Sequence, residues 1–274
     1  MSLLNLSKDL LKAIDIVIEV ADSRLPITSR HPSIQIDYKH KLKIVIYAKA
    51  DLADLDKARL LINKQEISYF LTTKSTKQRQ KILTALNDLG ASLKQRSLAK
   101  GYKHGSLKLL VVGIPNVGKS SLINWLIGQN KAKVANRPGI TRAPQWVRIN
   151  PDIELLDTPG VLKHFKFDAS KTTKLGLVRL INAYNIDELE LATSAIDFTS
   201  TFYNESLTNY LGANNDISLE SVAKKFNYLK TGGVYDLNRA AKTFLSDFES
   251  GKLGKICLDI DQLKSLADLA NVTD

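Results

Sequence analysis

The segment GIPNVGKS at residues 113–120 constrains the fold of this chain more than any other feature, because it has the form G-x-x-x-x-G-K-S. It follows the apolar run Leu109–Val112 and precedes residues 121–127, which can form a helix. Between a strand and a helix, the glycines let backbone N–H groups close around a phosphate, and the helix N-terminus adds a partial positive charge. The segment therefore predicts a phosphate-binding loop.

The residue types in this loop predict separate roles. Lys119 would reach the β- and γ-phosphates of a nucleotide, and the hydroxyl of Ser120 would bind Mg²⁺. A chance glycine-rich turn is the alternative interpretation, and the strand before the motif and the helix after it argue against it. The expected nucleotide contacts in this segment are Asn116, Val117, Gly118, Lys119, Ser120 and Ser121.

The spacing of apolar runs predicts an α/β fold for the first part of the chain. Short β-branched runs predict strands of a mostly parallel sheet at Ile16–Val20, Ile44–Tyr47, Ile67–Leu71, Leu109–Val112, Trp146–Ile149 and Ile153–Leu156. Helical patterns lie between several of these runs, for instance at residues 83–98 and 121–127. We therefore expect a P-loop nucleotide-binding domain over residues 1–167.

A separate, all-helical domain is expected over residues 168–274. Ser218 can cap a helix that carries apolar residues as far as Leu229 and ends at the glycine pair 232–233. Asp236 can cap a second, amphipathic helix. No strand pattern of comparable quality is present in this half of the sequence.

Two further motifs follow the phosphate loop at spacings that suit a nucleotide switch. PGIT at residues 138–141 offers Thr141 as a second hydroxyl ligand for Mg²⁺. LLDTPG at residues 155–160 places Asp157 near the metal ion and the Gly160 N–H near the γ-phosphate. The predicted catalytic groups are Lys119, Thr141 and Gly160; the predicted metal ligands are Ser120, Thr141 and Asp157; Thr141 and Gly160 are also expected to contact the nucleotide.

Recognition of guanine requires a carboxylate that accepts hydrogen bonds from the N1–H and N2 amino groups. Downstream of the phosphate loop the only K-x-D is KFD at residues 166–168, which follows the DTPG motif too closely to reach a base. Upstream, AKAD at residues 48–51 and TTKS at residues 72–75 each follow a predicted strand. Loops at the carboxyl ends of strands meet at one crevice in a doubly wound sheet, so the order of motifs can rotate without moving the site. The expected contacts to the base are Lys49, Asp51, Thr73 and Lys74.

Charge is unevenly distributed along the chain. The net charge is +11, and no carboxylate occurs between Asp88 and Asp152. This acid-free span contains eleven basic residues, namely Lys94, Arg96, Lys100, Lys103, Lys108, Lys119, Lys131, Lys133, Arg137, Arg142 and Arg148. A solvated basic face is one interpretation, and a surface that binds a polyanion such as RNA is the interpretation we favour. The single Cys257 rules out an internal disulfide framework and, with no signal-like segment, predicts a cytoplasmic protein.

With the base motif before the phosphate loop, the chain resembles the circularly permuted GTPases. DSRLPITSRHP at residues 22–32 is similar to the D-A-R-x-P-x-S-x-R-x-P segment of that group. The glycine pair 232–233 and LGK at residues 253–255 resemble the ribosome biogenesis GTPase A family. The resemblance implies a GTPase that binds GTP, GDP and Mg²⁺, matures the large ribosomal subunit and contacts ribosomal RNA through its helical domain. We expect it to be a monomer.

The same resemblance bears on the reaction rate. It implies that a hydrophobic residue, here Val161, replaces the glutamine that orients the attacking water in other GTPases. Asn116 matches an asparagine associated with GTPases that K⁺ stimulates. Two positions depart from the family: Ala48 stands where an asparagine is usual, and the amino terminus lacks the W-F-P-G-H-M segment with its histidine. Slow hydrolysis by the isolated protein, with stimulation by the ribosomal subunit and by K⁺, is therefore expected.

Three other functions fit parts of the sequence. A P-loop ATPase or nucleotide kinase fits the phosphate loop, but Asp51 and the switch motifs argue against it. An RNA-binding assembly placeholder that binds GTP with little hydrolysis is favoured by the same two departures from the family. A membrane-associated signalling GTPase would need a lipidation motif or an amphipathic anchor, and neither is apparent.

Overall fold

The structure is a computed structural model that describes residues 7–32, 34, 38–72, 75–99, 101, 105–128, 145–157, 167–181, 186–212 and 216–263. The contacts divide the chain into two compact units. The first unit comprises Met1–Asp22, Arg30–Lys49 and Asn63–Phe165, and the second comprises Ser23–Ser29, Ala50–Ile62 and Lys166–Asp274. Each unit is described separately below.

The first unit is built on a six-stranded sheet. In chain order its strands are β1 (Ile16–Asp22), β2 (Leu42–Ala48), β3 (Ile67–Leu71), β4 (Leu107–Val112), β5 (Gln145–Asn150) and β6 (Ile153–Asp157). The spatial order is β3-β2-β1-β4-β6-β5, and every neighbouring pair is parallel except β5 with β6. Each predicted strand is present, several of them one to three residues longer than predicted. The predicted mostly parallel α/β fold is confirmed.

Helices are present in both units. In chain order they are α1 (Lys8–Ala13), α2 (Leu55–Leu60), α3 (Thr76–Ala99), α4 (Lys119–Ile127), α5 (Ala169–Leu177), α6 (Glu188–Phe202), α7 (Asn204–Leu211), α8 (Leu219–Lys225) and α9 (Leu237–Glu249). Two short 3-10 turns are η1 (Ala50–Leu52) and η2 (Leu258–Asp261). Helices α1, α3 and α4 belong to the first unit, and the other helices and both 3-10 turns belong to the second.

Strand β1 lies inside the sheet between β2 and β4, and all seven of its residues are buried. A strand with parallel neighbours on both sides has an almost continuous apolar sequence, so the charged Glu19 needs a partner. Glu19 forms an ion pair with Arg30 at 2.7 Å, and Arg30 also contacts Glu66 at 2.7 Å. Burial would lower the pKa of Arg30, but its hydrogen bonds to the two carboxylates outweigh that effect and raise it.

Apolar side chains from β1, β4 and β6 form a core cluster with residues from the loop after β1. Its buried members are Ile14, Val17, Ile34, Tyr38, Leu110, Val112 and Leu156, with Leu10, Leu11 and Trp146 packed against them. This cluster lies under the part of the sheet from which the phosphate loop leaves, so that the loop starts from a rigid support.

Both helix caps predicted for the second unit are present. The Ser218 side chain accepts a hydrogen bond from the Ser221 N–H at 3.2 Å, and the Asp236 side chain accepts one from the Arg239 N–H at 3.2 Å. These bonds satisfy amides that lack partners inside the first turn of a helix. The predicted helical character of this part of the chain is therefore confirmed.

The predicted extent of the first of these helices was wrong. Helix α8 ends at Lys225, and Asn227 has a φ of 54°, which breaks the helical path. The chain then turns back on itself, so that Leu229 pairs with Tyr235 in an isolated antiparallel bridge. Leu229 is 49% exposed rather than part of the helical core.

Two early segments of the chain are tied to the end of the second unit. The carboxylate of Asp259 accepts hydrogen bonds from the backbone N–H groups of Ile27 and Thr28, both at 2.8 Å. The Leu258 N–H donates to the Arg24 carbonyl at 2.7 Å. Residues 23–29 and 50–62 thus belong to the helical unit. The contiguous boundary expected between residues 167 and 168 stays a prediction.

Candidate functional site

The phosphate loop leaves β4 at Gly113 and ends at Gly118, which is the N-cap of α4. Gly113 has a φ of 153°, and a Cβ atom at this position would lie 2.5 Å from the Val20 carbonyl oxygen of β1. Gly118 and Asn116 also adopt positive φ angles, of 110° and 55°. Only glycine fits at residue 113, because the loop passes against the backbone of the neighbouring strand.

Helix α4 begins with backbone N–H groups that no capping side chain satisfies, since its N-cap is Gly118. Ser120 and Ser121 in its first turn are exposed, whereas Val117 in the loop is fully buried. Free amides at a helix N-terminus, with a hydroxyl beside them, bind a phosphate group and a hard cation. The arrangement at residues 118–121 therefore fits a nucleotide phosphate with Mg²⁺.

The side chain of Lys119 folds back towards the start of the phosphate loop. Its ammonium group donates a hydrogen bond to the Ile114 carbonyl at 2.7 Å. Burial lowers the pKa of Lys119 to about 8, because desolvation disfavours its charged form. A phosphate near this ammonium would favour its charged form and raise the pKa again. The Lys119 side chain is thus already held within the phosphate loop, where it is expected to contact the nucleotide.

The carboxyl end of α4 is fixed by Arg79 of α3. The guanidinium group of Arg79 donates hydrogen bonds to the carbonyls of Trp125 and Leu126, both at 2.8 Å. These are two of the carbonyls that a helix leaves unsatisfied at its end, where a positive charge is also favourable. Arg79 was not among the predicted site residues, since an isolated arginine in a helix gives no signal of this role.

The base motif at the end of β2 lies beside the phosphate loop. Asp22 at the end of β1 is in register with Ala48 at the end of β2. A Cβ atom on Gly118 would lie 3.6 Å from the Cβ of Ala48. The end of β2 therefore lies close to the phosphate loop that follows β4, at one edge of the sheet.

Lys49 follows Ala48 directly and adopts a left-handed conformation with a φ of 57°. Its ammonium group lies 3.2 Å from the carboxylate of Asp22, which is fully buried. Asp51 is exposed and lies on η1, which begins one residue after Lys49. Asp22 was not among the predicted site residues, although it stands first in the DSRLPITSRHP segment and could have been suspected from that position.

The loop after β3 is described at its two flanks. The Gln78 side chain accepts from the Thr72 N–H at 3.2 Å and donates to the Phe70 carbonyl at 3.3 Å. The Ser75 hydroxyl accepts from the Gln78 N–H at 3.2 Å. Gln78 thus holds both ends of the predicted base-backing loop, and no sequence signal had singled it out. Thr73 and Lys74, the predicted contacts in that loop, lie outside the described residues.

Of the predicted switch residues Thr141, Asp157 and Gly160, the structure describes only Asp157. Asp157 is the last residue of β6, where its backbone pairs with Gln145 of β5. This places the start of the DTPG motif at the carboxyl end of a strand next to β4. Thr141 and Gly160 lie outside the described residues, as do Val161 and His164. Their predicted roles stay predictions.

Metal-binding clusters and membrane-spanning helices are both absent from the described part of the chain. Within it, no group of three or more histidine, cysteine, aspartate or glutamate side chains is arranged to hold a metal ion. Among the same residues, no helix is both long enough and apolar enough to cross a membrane.

Comparisons with known proteins agree with this geometry. Residues 108–225 match the family model described as 50S ribosome-binding GTPase. Ribosome biogenesis GTPase A of Bacillus cereus is 34% identical over 263 residues, which cover 91% of this chain and 87% of that protein. The GDP-bound structure of YlqF is 27% identical with a TM-score of 0.63, covering 92% of this chain and 96% of that one. GNP-bound YlqF from T. maritima is 25% identical with a TM-score of 0.62, covering 92% and 94%.

The relative at 34% identity matches both the sheet and the helical part of the chain, and the family model covers the phosphate loop. These matches, together with a predicted base motif that precedes the phosphate loop in the sequence, show that the chain belongs to the ribosome biogenesis GTPase A family and is a circularly permuted P-loop GTPase.

Proposed function

We propose that this chain binds GTP and hydrolyses it as an assembly factor for the large ribosomal subunit, slowly when alone and faster on the subunit and in K⁺. The observation that carries the proposal is the phosphate loop, in which Lys119 donates a hydrogen bond to the Ile114 carbonyl and α4 begins without a side-chain cap, close to Ala48. Family membership supports a GTP-binding factor in ribosome assembly. The description of the matching family model, a 50S ribosome-binding GTPase, supports the large subunit as the partner.

The residues have distinct roles in this proposal. Amides of residues 116–121 bind the phosphates, and Lys119 stabilises negative charge that develops on the γ-phosphate. Ser120, Thr141 and Asp157 hold Mg²⁺, which neutralises phosphate charge when bound. The Gly160 N–H contacts the γ-phosphate, while Lys49, Asp51, Thr73 and Lys74 contact guanine.

The slow rate follows from the switch sequence. Val161, directly after the DTPG motif, has no hydrogen-bonding group and so cannot orient a water molecule for in-line attack. Asn116 of the phosphate loop matches GTPases in which K⁺ supplies positive charge at the transition state. The ribosomal subunit or K⁺ would therefore complete the site.

Contact with ribosomal RNA is assigned to two regions. The acid-free basic span between residues 88 and 152 provides clustered cations, among which Lys94 is exposed on α3. The helical domain, residues 168–274, provides the second region, in keeping with the family. The working form is a cytoplasmic monomer.

The decisive experiment is GTP turnover in K⁺ and in Na⁺, each with and without large-subunit precursors. We expect a low basal rate, a higher rate in K⁺ and a further increase with the subunit. Lys119→Ala should abolish turnover in all four conditions, because γ-phosphate stabilisation is lost. His164→Ala should leave the subunit-stimulated rate nearly intact. A fast basal rate that collapses in His164→Ala would make that histidine the water-orienting residue and contradict the proposal.

Guanine selectivity provides an independent test. Adenine has neither an N1 proton nor an N2 amine, so it would leave the Asp51 carboxylate unpaired at a cost of about 1–3 kcal/mol. GTP should therefore bind at least about fivefold more tightly than ATP. Equal competition by ATP against a fluorescent GDP analogue would exclude guanine recognition by the AKAD motif.

The second candidate function is an RNA-binding placeholder that binds GTP with little hydrolysis. Ala48 favours it, because alanine cannot form the hydrogen bonds of the asparagine usual at this position. Single-turnover hydrolysis that stays negligible on the subunit, with intact GTP binding, would select this function over the first.

A further inference from the structure

Residue 48, at the start of the predicted guanine loop, is an alanine and so cannot form a side-chain hydrogen bond to the phosphate loop. The side chain of Ala48 is a single methyl group, whose carbon lies 3.6 Å from the position that a Cβ of Gly118 would occupy. A methyl group neither donates nor accepts a hydrogen bond. Another contact must therefore fix the loop that carries Lys49 and Asp51.

The contact between Lys49 and Asp22 has the properties required. The Asp22 side chain is completely buried, and the Lys49 side chain is 31% exposed, with the two charged groups 3.2 Å apart. Asp22 lies at the end of β1, in register with Ala48. The carboxylate is therefore part of the rigid sheet, whereas Lys49 is the first residue of the loop.

Burial of the Asp22 carboxylate makes this ion pair effective in holding Lys49 in place. A buried carboxylate is strongly destabilising when its partners are removed, so the site favours conformations in which a cation stays beside it. Lys49 also has a left-handed backbone conformation, which non-glycine residues adopt only where surrounding contacts impose it. The pair thus holds the Lys49 side chain beside the end of β1, at a position where the backbone is left-handed.

We propose that Asp22 is a positioning residue for guanine recognition, whose buried carboxylate holds Lys49 and so sets the path of the chain to Asp51. In this chain it supplies the attachment that Ala48 cannot provide. The proposal rests on the proposed function, because it requires that the loop containing Lys49 and Asp51 contacts guanine. It also gives a role to the first residue of the DSRLPITSRHP segment.

The test measures the binding of fluorescent GDP, with competition by GDP and by IDP, whose base lacks the N2 amine. Asp22→Asn keeps the shape of the side chain but removes its charge. It should weaken GDP binding about tenfold and reduce the preference for GDP over IDP, because a displaced carboxylate no longer reads the N2 amine. Ala48→Asn should restore much of this preference in the double variant and change it less in the wild type.

Glu66→Gln is the matched control, since it alters another ion pair of the same unit, with Arg30, away from the base loop. Its thermal stability should fall while the ratio of GDP to IDP affinity stays unchanged. An unchanged ratio in Asp22→Asn, or an equal shift in Glu66→Gln, would overturn the proposal.

Two further comparisons distinguish a failure of the positioning role of Asp22 from a failure of the proposed function. Where Asp22→Asn yields no folded protein, Lys49→Gln is compared with Lys49→Gln/Ala48→Asn, and absence of rescue by the asparagine overturns the positioning role. Wild-type protein that binds ADP as tightly as GDP would instead show that the loop does not read guanine. That outcome would contradict the proposed function and therefore also the positioning role of Asp22.

Discussion

At the scale of single residues, Gly113 has the strictest steric requirement in the phosphate loop. A Cβ there would lie 2.5 Å from the Val20 carbonyl oxygen and 3.1 Å from a methyl carbon of Val117. Gly113→Ala should therefore lower the free energy of unfolding by at least about 2 kcal/mol and weaken GDP binding. Urea unfolding and GDP titration measure both effects. Gly105→Ala is the control, because nothing lies within 4 Å of the added methyl group; equal stability of the two variants would contradict the steric argument.

The lowered pKa of Lys119 predicts a pH dependence of nucleotide binding. Without nucleotide its pKa is about 8, so the ammonium group loses its proton as the pH rises above that value. Phosphates favour the charged form and raise the pKa, so binding takes up a proton above about pH 8 and affinity falls as the pH rises. Below about pH 7 the lysine is charged in both states and this effect vanishes.

Calorimetric titration in two buffers of different ionisation enthalpy measures that proton uptake. The apparent binding enthalpy should depend on the buffer at about pH 8.5 and not at about pH 7. Lys119→Arg, which stays charged at both values, should lose the dependence. A buffer-dependent enthalpy that persists in Lys119→Arg would assign the proton to another group.

The sequence was sufficient to place Gly118, Lys119 and Ser120, because the motif itself specifies how the backbone bends around a phosphate. It was not sufficient for Asp22 or Arg79. Their roles depend on which strand or helix lies next to them in space, and neither residue has a characteristic spacing to the motif it supports.

At the scale of secondary-structure elements, strands were predicted well because buried parallel strands have continuous apolar sequences. Helix α8 was predicted too long, because Leu229 continues the helical spacing of apolar residues even though the helix has ended. The left-handed Asn227 and the bridge from Leu229 to Tyr235 decide the path there. Local backbone preferences thus overrode the periodic pattern.

Asp259 of η2 provides a prediction at this scale. Its carboxylate satisfies the N–H groups of Ile27 and Thr28, so Asp259→Ala leaves buried donors without partners and should cost about 2–4 kcal/mol. Asp261→Ala is the matched control, because its side chain is 40% exposed and pairs with Lys174. It should cost less than about 1 kcal/mol. Urea unfolding followed by far-UV circular dichroism compares the two, and similar losses would show that Asp259 has no special structural role.

At the scale of the whole molecule, the positive charge is concentrated in the first 165 residues. From residue 166 onward, acidic residues outnumber basic ones. The fold places a carboxylate next to two cations of the acid-free span, because Lys108 and Arg148 are each in register with Glu154 of β6. These two cations have a carboxylate as neighbour, which the linear sequence did not indicate. Lys94, exposed on α3, is a better candidate for an RNA contact.

Reversing Lys94, Arg96 and Lys100 to glutamate should weaken binding to the large-subunit precursor and flatten its dependence on salt. Each phosphate contact releases counterions, so losing about three contacts should reduce the slope of log affinity against log salt by roughly 2–3. GDP affinity should not change. The comparison variant reverses Lys224, Lys230 and Lys242 of the helical unit, the second proposed region, and should reduce the slope less. A larger loss of slope there would make that unit the main RNA contact, and an unchanged slope in the first variant would make the span a solvated face.

The bond between Asp259 and the N–H of Thr28 joins residues that are 231 positions apart in the chain. A ribosome makes about 5–20 residues per second, so Ile27 and Thr28 are synthesised on the order of tens of seconds before this partner. The sheet strands before residue 158 have all been made by then. A nascent chain interrupted before residue 259 therefore carries a complete set of strands but leaves residues 23–29 without their final hydrogen-bond acceptor, and such chains should depend on chaperones more than released ones.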